Sequence, residues 1–273
     1  MRKITRRLKR RVLPIALTIA GSDSGGGAGI QADLKAFEAI GVHGTSVVTC
    51  VTAQNPKRVI GLQACEPALV LQQLSAVFEE LPPRAVKTGM LYSADTIRVV
   101  SSFLTSQKRQ PPLVVDPVSV ATSGGRLLQA GAVEVLQQAL LPMAALVTPN
   151  LAEAEALTGS TVQEPEGMRR AARFIWKNFG CAALVKGGHL NGVSEAVDIF
   201  YDGGEELLLR APFIKGLLLH GTGCTYSAAI TGFLALGAEL PEAVHRAKEF
   251  ITQAIANSVR AAGHSVLNCR GGV

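Results

Sequence analysis

The chain has 273 residues, of which 48% are hydrophobic and 18% charged, a composition typical of a folded globular protein and not of a disordered chain. The formal net charge of +6 would suit a nucleic-acid partner, but seven of the 27 basic residues lie in residues 1–11, which contain no acid. The other 20 are balanced by 21 acidic residues, so we expect no nucleic-acid partner. We predict a basic, disordered tail over residues 1–11 and a single domain over residues 12–273.

An apolar run over residues 12–20 follows the tail and imitates a secretory signal peptide. A glycine-rich turn and an amphipathic helix follow the run directly, and we therefore interpret it as the first core strand. The five cysteines are odd in number and show no CxxC spacing, which argues against a disulfide framework or a zinc site. Because we also find no apolar run long enough to cross a membrane, we predict a cytoplasmic protein.

Segments typical of strands and helices alternate along the chain. Strands are predicted over residues 13–20, 45–52, 85–87, 113–115, 145–147 and 182–185, and a hairpin over 195–201 and 206–209. Helices are predicted over residues 30–40, 67–81, 94–104, 132–140, 151–157, 166–179, 226–236 and 241–262. This alternation favours crossover connections, and hence a three-layer α/β/α sandwich with a central, mainly parallel sheet.

Polar or glycine-rich loops follow the predicted strands, where ligands bind in sheets of this kind. These loops are Gly21-Ser22-Asp23, Ala53-Gln54-Asn55, Thr88-Gly89-Met90, Asp116-Pro117-Val118, Thr148-Pro149-Asn150, Lys186-Gly187-Gly188-His189 and residues 220–225. The glycine-rich stretch over residues 25–29 matches neither GxGxxG nor GxxxxGK[ST]. Dinucleotide-binding and P-loop sites are therefore disfavoured.

Residues 220–225, with the sequence His-Gly-Thr-Gly-Cys-Thr, combine a tight turn with the start of a predicted helix. Gly221 and Gly223 let the backbone approach a ligand, and free N–H groups at a helix N-terminus favour an anion. Cys224 lies in the same positive field, so we expect its thiol to ionise more readily than a free thiol. The alternative is a glycine-rich turn with a small buried cysteine.

Four further residues have both a functional and a structural interpretation. Lys186 ends a predicted strand and could bind a phosphate, or it is a solvated lysine at a strand end. Asn150 and Glu153 could orient a hydrated Mg²⁺, or they are a helix N-cap and a surface acid. Gln54 offers both a donor and an acceptor to an aminopyrimidine edge, or it caps a turn.

Six blocks of this sequence, taken in order, resemble bacterial hydroxymethylpyrimidine and phosphomethylpyrimidine kinases, enzymes of thiamine synthesis in the ribokinase-like superfamily. The blocks are residues 20–35, Ala53-Gln54-Asn55, residues 87–91, Thr148-Pro149-Asn150-Leu151, residues 186–189 and residues 220–225. The resemblance covers roughly residues 13–263. It implies the α/β/α fold and ATP-dependent phosphorylation of 4-amino-5-hydroxymethyl-2-methylpyrimidine and of its monophosphate, with Mg²⁺. We also expect a homodimer.

The resemblance assigns roles by position. The residues it implies at the pyrimidine are Gly21, Asp33, Gln54, Met90 and Val118. Those implied at ATP and its Mg²⁺ are Lys186, Asn150, Thr222 and Glu153. It further implies an anion hole at Gly221, Thr222 and Gly223, and a catalytic base at Cys224.

Two stretches depart from the family pattern, namely Leu217-Leu218-Leu219 before the last block and the C-terminal residues 264–273. Two alternatives to a pyrimidine kinase stay open. One is a pyridoxal or pyridoxine kinase of the same superfamily, and the other is a non-catalytic protein that binds a thiamine precursor. Retention of Lys186, the Gly-Thr-Gly loop and Cys224 argues against the second alternative.

Overall fold

A computed structural model describes residues 12–118, 128–188, 190, 195–214 and 219–270. Its strands are β1 (Ile15–Asp23), β2 (His43–Asn55), β3 (Arg58–Ala64), β4 (Ala85–Thr88), β5 (Leu113–Val115), β6 (Leu146–Val147), β7 (Ala182–Lys186), β8 (Glu195–Tyr201), β9 (Glu206–Pro212), β10 (Val259–Ala261) and β11 (His264–Val266). Its α-helices are α1 (Gly29–Ile40), α2 (Pro67–Glu80), α3 (Ala94–Thr105), α4 (Ala132–Val135), α5 (Leu151–Thr158), α6 (Pro165–Phe179), α7 (Thr222–Ala235) and α8 (Leu240–Ala256). A π-helical turn over Leu136–Leu140 and a 3₁₀ turn over Leu141–Met143 continue α4.

The main sheet has nine strands among the described residues, in the order β3-β2-β1-β4-β5-β6-β7-β8-β9. The strands from β2 to β7 in this order pair in parallel, and β3, β8 and β9 are antiparallel additions at the two edges. Parallel pairing brings the carboxyl ends of the central strands to one edge. The loops singled out from the sequence therefore meet there.

Two apolar cores cover the two faces of the sheet. Helices α2 to α6 pack on one face, and α1, α7 and α8 pack on the other. Strand β5 illustrates the division, because Leu113 and Val115 point into the first core and Val114 points into the second. The three-layer α/β/α sandwich predicted from the sequence is confirmed.

Three predicted boundaries are wrong, each at a polar segment. Strands β1 and β2 continue to Asp23 and Asn55, because residues that were interpreted as loops still pair in the sheet. The helix predicted over residues 241–262 ends at Ala256, and β10 and β11 form an antiparallel hairpin after it. Ala262 and Gly263 turn this hairpin with φ values of 46° and 88°, a conformation that a helix does not allow. Strand β3 was not predicted.

The strand predicted after the basic tail is confirmed as β1, which lies inside the sheet between β2 and β4. The tail over residues 1–11 and the residues Leu217 and Leu218 lie outside the described residues. Within the described parts of the chain, no helix is both long and apolar enough to span a bilayer.

Candidate active site

A cavity of about 520 Å³ opens at the carboxyl ends of the central strands. This volume is in the range of small-molecule sites. Its walls include every residue predicted for the site except Asp33: Gly21, Gln54, Met90, Val118, Asn150, Glu153, Lys186, Gly221, Thr222, Gly223 and Cys224. The fold thus brings together residues that are more than 200 positions apart in the sequence.

The loop after β1 is organised by the carboxylate of Asp23. It accepts hydrogen bonds from the backbone N–H groups of Gly25, Gly27 and Ala28, at 2.8, 3.0 and 2.8 Å. Burial alone would raise the pKa of Asp23, but these bonds and the neighbouring His220 outweigh it and lower the pKa. The loop therefore holds an ionised carboxylate at the mouth of the cavity.

The predicted anion loop is the N-terminus of α7. Gly221 is its N-cap, with a φ of 81°, and a Cβ there would lie only 1.8 Å from the Gly27 carbonyl oxygen. Only glycine fits such a position. The first intrahelical bond runs from Thr225 N–H to Gly221 O (2.9 Å), so the N–H groups of residues 222–224 precede it and face the cavity side of the helix start.

The ammonium of Lys186 lies directly at this helix start. A Cβ on Gly223 would lie 3.3 Å from Lys186 Nζ, which itself donates to Asp116 Oδ1 at 3.1 Å. The Lys186 side chain is only 13% exposed, so the alternative of a solvated lysine is wrong. Burial would lower the pKa of Lys186, but Asp116 and Glu153 outweigh it and raise the pKa. Lys186 is a fixed positive charge next to a helix N-terminus.

Asp116 is almost fully buried and is held by three groups, Lys186, Thr148 Oγ1 (3.2 Å) and Ser227 Oγ (3.2 Å). Burial raises its pKa, and the charges of Lys186 and Lys87 oppose this strongly enough to lower it overall. Asp116 is therefore an ionised carboxylate at the centre of the site.

Cys224 is half-buried in the first turn of α7. The expectation of an easily ionised thiol is wrong, because burial raises the pKa of Cys224 to about 11. The nearby charge of Lys87 and the Gly29 N–H favour the thiolate, but the carboxylates of Asp116 and Asp33 add to the effect of burial. The positive helix end does not compensate for lost hydration.

Lys87, a residue that sequence reasoning did not assign to the site, lies under the cavity. It is fully buried and donates to Asp33 Oδ1 (2.8 Å) and Oδ2 (2.9 Å), and Thr18 Oγ1 donates to the same carboxylate at 2.6 Å. Burial would lower the pKa of Lys87, but the charge of Asp33 outweighs it and raises the pKa. Burial raises the pKa of Asp33, and Lys87 opposes that shift. Lys87 lines the cavity whereas Asp33 lies behind it.

The wall opposite the anion loop is mostly apolar. Met90 and Val118 pack in one cluster with Cys50, and the Met90 backbone is held by Thr49 Oγ1, which donates to Met90 O at 2.6 Å. Gly21 completes this wall, where a Cβ would lie 2.7 Å from Cys50 Sγ. A flat ring fits such a surface better than a charged group does.

Asn150 and Glu153 form a capping box at the start of α5. Glu153 N–H donates to Asn150 Oδ1, and Asn150 N–H donates to Glu153 Oε2, both at 2.9 Å. The N-cap interpretation of Asn150 is confirmed, whereas Glu153 is buried and is not a surface acid. Among the described residues no group of three His, Cys, Asp or Glu side chains could hold a metal ion unaided.

The other end of the cavity is organised by Asp198. Its carboxylate accepts from Gly187 N–H (3.0 Å) and from Lys248 Nζ (2.7 Å). Ile251 and Ile255 of α8 form an apolar wall beside them. This end is large enough and apolar enough for a planar base, and it joins the anion loop without a break.

Comparison with known families decides between the interpretations. The family model described as phosphomethylpyrimidine kinase matches residues 23–268. The chain belongs to the phosphomethylpyrimidine kinase family. The family predicted from six short blocks is confirmed.

The relatives of this kinase carry the same description. It is 49% identical to the hydroxymethylpyrimidine/phosphomethylpyrimidine kinase of Rhizobium meliloti, covering 90% of this chain and 92% of that one. It is 50% identical to the thiamine biosynthesis bifunctional protein ThiED of Geobacter sulfurreducens, where the match covers 88% of this chain and 48% of the relative. The kinase thus spans about half the length of the bifunctional relative and nearly all of the other.

Solved structures agree with the fold. The phosphomethylpyrimidine kinase of Clostridium difficile superposes with a TM-score of 0.78 at 44% identity, over 89% of this kinase and 99% of that chain. An ADP complex of Bacillus subtilis pyridoxal kinase superposes with a TM-score of 0.85 at 34% identity, over 94% and 97%. The two neighbours differ in their named substrates although they share the fold.

Four residues of the kinase site were not assigned from the sequence: Lys87, Asp198, His220 and Lys248. Two of them carried a signal, because Lys87 interrupts a short apolar strand and Lys248 lies on the apolar side of α8. A charged residue at such a position is buried with a partner more often than it is exposed. No sequence pattern pairs Lys87 with Asp33 or Lys248 with Asp198.

Proposed function

We propose that this cavity binds 4-amino-5-hydroxymethyl-2-methylpyrimidine and ATP side by side and transfers the γ-phosphoryl group to the hydroxymethyl oxygen. The resulting monophosphate is then phosphorylated again in the same cavity. The observation that carries the proposal is the pairing of Lys186 with the N-terminus of α7. A fixed cation and a helix start together form a site for transferring phosphate.

The pyrimidine occupies the end of the cavity lined by Gly21, Gln54, Met90 and Val118. Gln54 reads the polar edge of the ring, since its amide offers a donor and an acceptor. Met90 and Val118 cover a face of the ring. Asp33 acts through Lys87, because its carboxylate does not line the cavity.

The phosphates of ATP lie between Lys186 and the N–H groups of residues 222–224, with Thr222 at the start of the helix. The base of ATP lies along Ile251 and Ile255. Phosphoryl transfer depends mainly on positioning and on stabilising charge, and both are present here in a fixed arrangement. Lys186 and the helix start stabilise the charge that develops on the transferred group.

Cys224 accepts the proton that the hydroxymethyl oxygen loses as it attacks phosphorus. In this step the new bond joins that oxygen to the γ-phosphorus, and the bond between the γ-phosphorus and the oxygen of ADP breaks. Because the thiol has a pKa of about 11 in the ligand-free chain, the thiolate is a minor species at neutral pH, and the nearby charge of Lys87 favours it.

A magnesium ion fits the oxygen donors that border the cavity. Asp116 and Glu153 are carboxylates, and Asn150 adjoins them. Mg²⁺ keeps most of its waters and needs few protein ligands, so these groups would hold the hydrated ion. When bound, the ion neutralises phosphate charge and orients the transferred group.

We also propose a cytoplasmic homodimer. The five cysteines are all free thiols, as expected in a reducing compartment. β3 is an edge strand, and its hairpin with β2 exposes Ile60 (65%) and Val51 (53%). An apolar edge strand favours pairing with another copy. Light scattering should give twice the chain mass for the wild-type protein and a monomer for Ile60→Lys.

The test of the activity is ADP release with three acceptors: the hydroxymethylpyrimidine, its monophosphate and pyridoxal. We expect turnover of both pyrimidines and a lower kcat/KM for pyridoxal. Faster turnover of pyridoxal would favour the second candidate, a pyridoxal kinase, which is supported by the superposition with the Bacillus subtilis enzyme. Binding of the pyrimidine without any ADP release would instead indicate a non-catalytic protein.

A further inference from the structure

His220 lies between the residue proposed to read the pyrimidine and the loop that follows β1. Its Nε2 is 2.8 Å from Gln54 Nε2 and 3.3 Å from Asp23 Oδ2. Its side chain is 15% exposed, and its Cδ2 would lie 3.0 Å from a Cβ on Gly27. His220 is therefore fixed in place, and the mechanism above gives it no role.

The contact with Gln54 has a defined direction. An amide nitrogen donates hydrogen bonds and does not accept them, so the Nε2 of His220 must be the acceptor. His220 is then neutral, with its proton on Nδ1. At the other end of the amide, Gln54 Oε1 lies 3.2 Å from Thr52 Oγ1, whose proton is shared with Ser22 O at 2.9 Å. Both ends of the Gln54 amide are thus held from behind.

An amide held in this way presents one pattern to the cavity. The second N–H on Nε2 and a free lone pair on Oε1 remain for a ligand. They match a ring nitrogen and the amino group next to it, which are an acceptor and a donor side by side. If the amide turned over, donor would face donor and acceptor would face acceptor.

We propose that His220 is a positioning residue that fixes the orientation of the Gln54 amide and so selects rings carrying an amino group next to a ring nitrogen. This inference rests on the proposed function and names the group that sets its substrate selectivity. Asp23 does not replace Gln54 as the partner, because Asp23 accepts hydrogen bonds only and the lone pair of Nε2 can accept but not donate. Selectivity at Gln54 therefore depends on a residue of the anion loop.

The experiment compares kcat/KM for the hydroxymethylpyrimidine with kcat/KM for the same ring without its amino group. In the full-length chain, His220→Leu should lower this ratio about 3- to 10-fold, as expected when one hydrogen-bond partner is lost. The loss should appear in the KM for the pyrimidine and not in the KM for ATP. His220→Gln, whose side chain also ends in an acceptor, should keep the ratio within about twofold of wild type.

A second arm tests whether His220 acts through Gln54. In a Gln54→Ala background the ratio should already be low, and His220→Leu should not lower it further. His245→Leu is the matched control, because His245 is exposed on α8 and pairs only with Glu249, at 3.7 Å. If His220→Leu does not fold, His220→Asn, which is too short to reach Gln54, takes its place.

Two results would overturn the inference. One is an unchanged ratio with equal losses in kcat and in both KM values, which would mean a structural role. The other is an equal effect of His220→Leu with and without Gln54. If the wild-type chain turns over neither pyrimidine, the proposed function fails by itself. Calorimetric dissociation constants for the two rings then give the same ratio, and an unchanged ratio in His220→Leu would still overturn the role of His220.

Discussion

Replacing Cys224 by alanine should separate the two phosphoryl transfers proposed for this cavity. In the first transfer the acceptor is an alcohol, which must lose a proton as it attacks. In the second the acceptor is a phosphate oxygen, which is already ionised above a pKa of ~6. A base at position 224 is therefore needed for the first transfer alone, and the second serves as an internal control.

The size of the effect follows from the raised pKa of the thiol. With a pKa of about 11 in the ligand-free chain, Cys224 is ionised in only about one molecule in 10³ near pH 8, a cost of ~4 kcal/mol. Because this pKa lies above the working pH, the thiolate fraction increases about tenfold with each unit of rising pH. Wild-type kcat/KM for the alcohol should therefore rise steeply from about pH 7 to 9, and that for the monophosphate should not.

ADP release measures both predictions with the same protein. Cys224→Ala should lose about 10²–10⁴ in kcat with the alcohol and stay within about threefold of wild type with the monophosphate. Cys224→Asp should keep more activity than Cys224→Ala and show a flat profile over the same pH range, since Asp has a reference pKa of ~3.9. Equal losses with both acceptors, or a flat wild-type profile with the alcohol, would refute the role of Cys224 as the base.

Three other changes test the rest of the site. Lys186→Ala should lower kcat by about 10²–10³ with both acceptors while the pyrimidine dissociation constant, measured by calorimetry, stays unchanged; weaker pyrimidine binding would contradict this. Lys87→Met leaves the fully buried Asp33 without its counter-charge, and should lower the free energy of unfolding by about 3–5 kcal/mol. Lys87→Met combined with Asp33→Leu should recover most of that loss in urea unfolding, and failure to recover it would mean that Lys87 contributes through packing. Asn150→Ala removes an N-cap and should cost about 1 kcal/mol of stability, which Asn150→Ser should largely restore.

The family, the layers and most element positions could be predicted from the sequence because they depend on local patterns. Buried parallel strands such as β5 are short apolar runs, and the amphipathic helices between them have a clear period. Errors arose where polar residues continue a regular element, as at the end of β2, or where a glycine turn follows a helix, as after α8. Edge strand β3 lacks a buried face and so carried too weak a signal.

The electrostatics of the site could not be predicted, because they depend on contacts between distant residues. Asp33 and Lys87 are 54 positions apart, and Gln54 and His220 are 166 apart. The helix N-terminus was recognised at Cys224, but the burial and the two carboxylates that reverse its effect on the thiol are visible only in three dimensions. The predicted roles of Gln54, Lys186 and Cys224 stay predictions until the variants are measured.

The contact between Gly221 and the Gly27 carbonyl has a consequence for synthesis of the chain on the ribosome. Strands β1, β2 and β4 are made early and can pair, but the loop after β1 has its partner only when the segment that includes α7 emerges. The cavity therefore closes late, after more than three quarters of the chain is made. A nascent chain stalled before residue 221 should expose this loop to limited proteolysis, and one stalled beyond α8 should protect it.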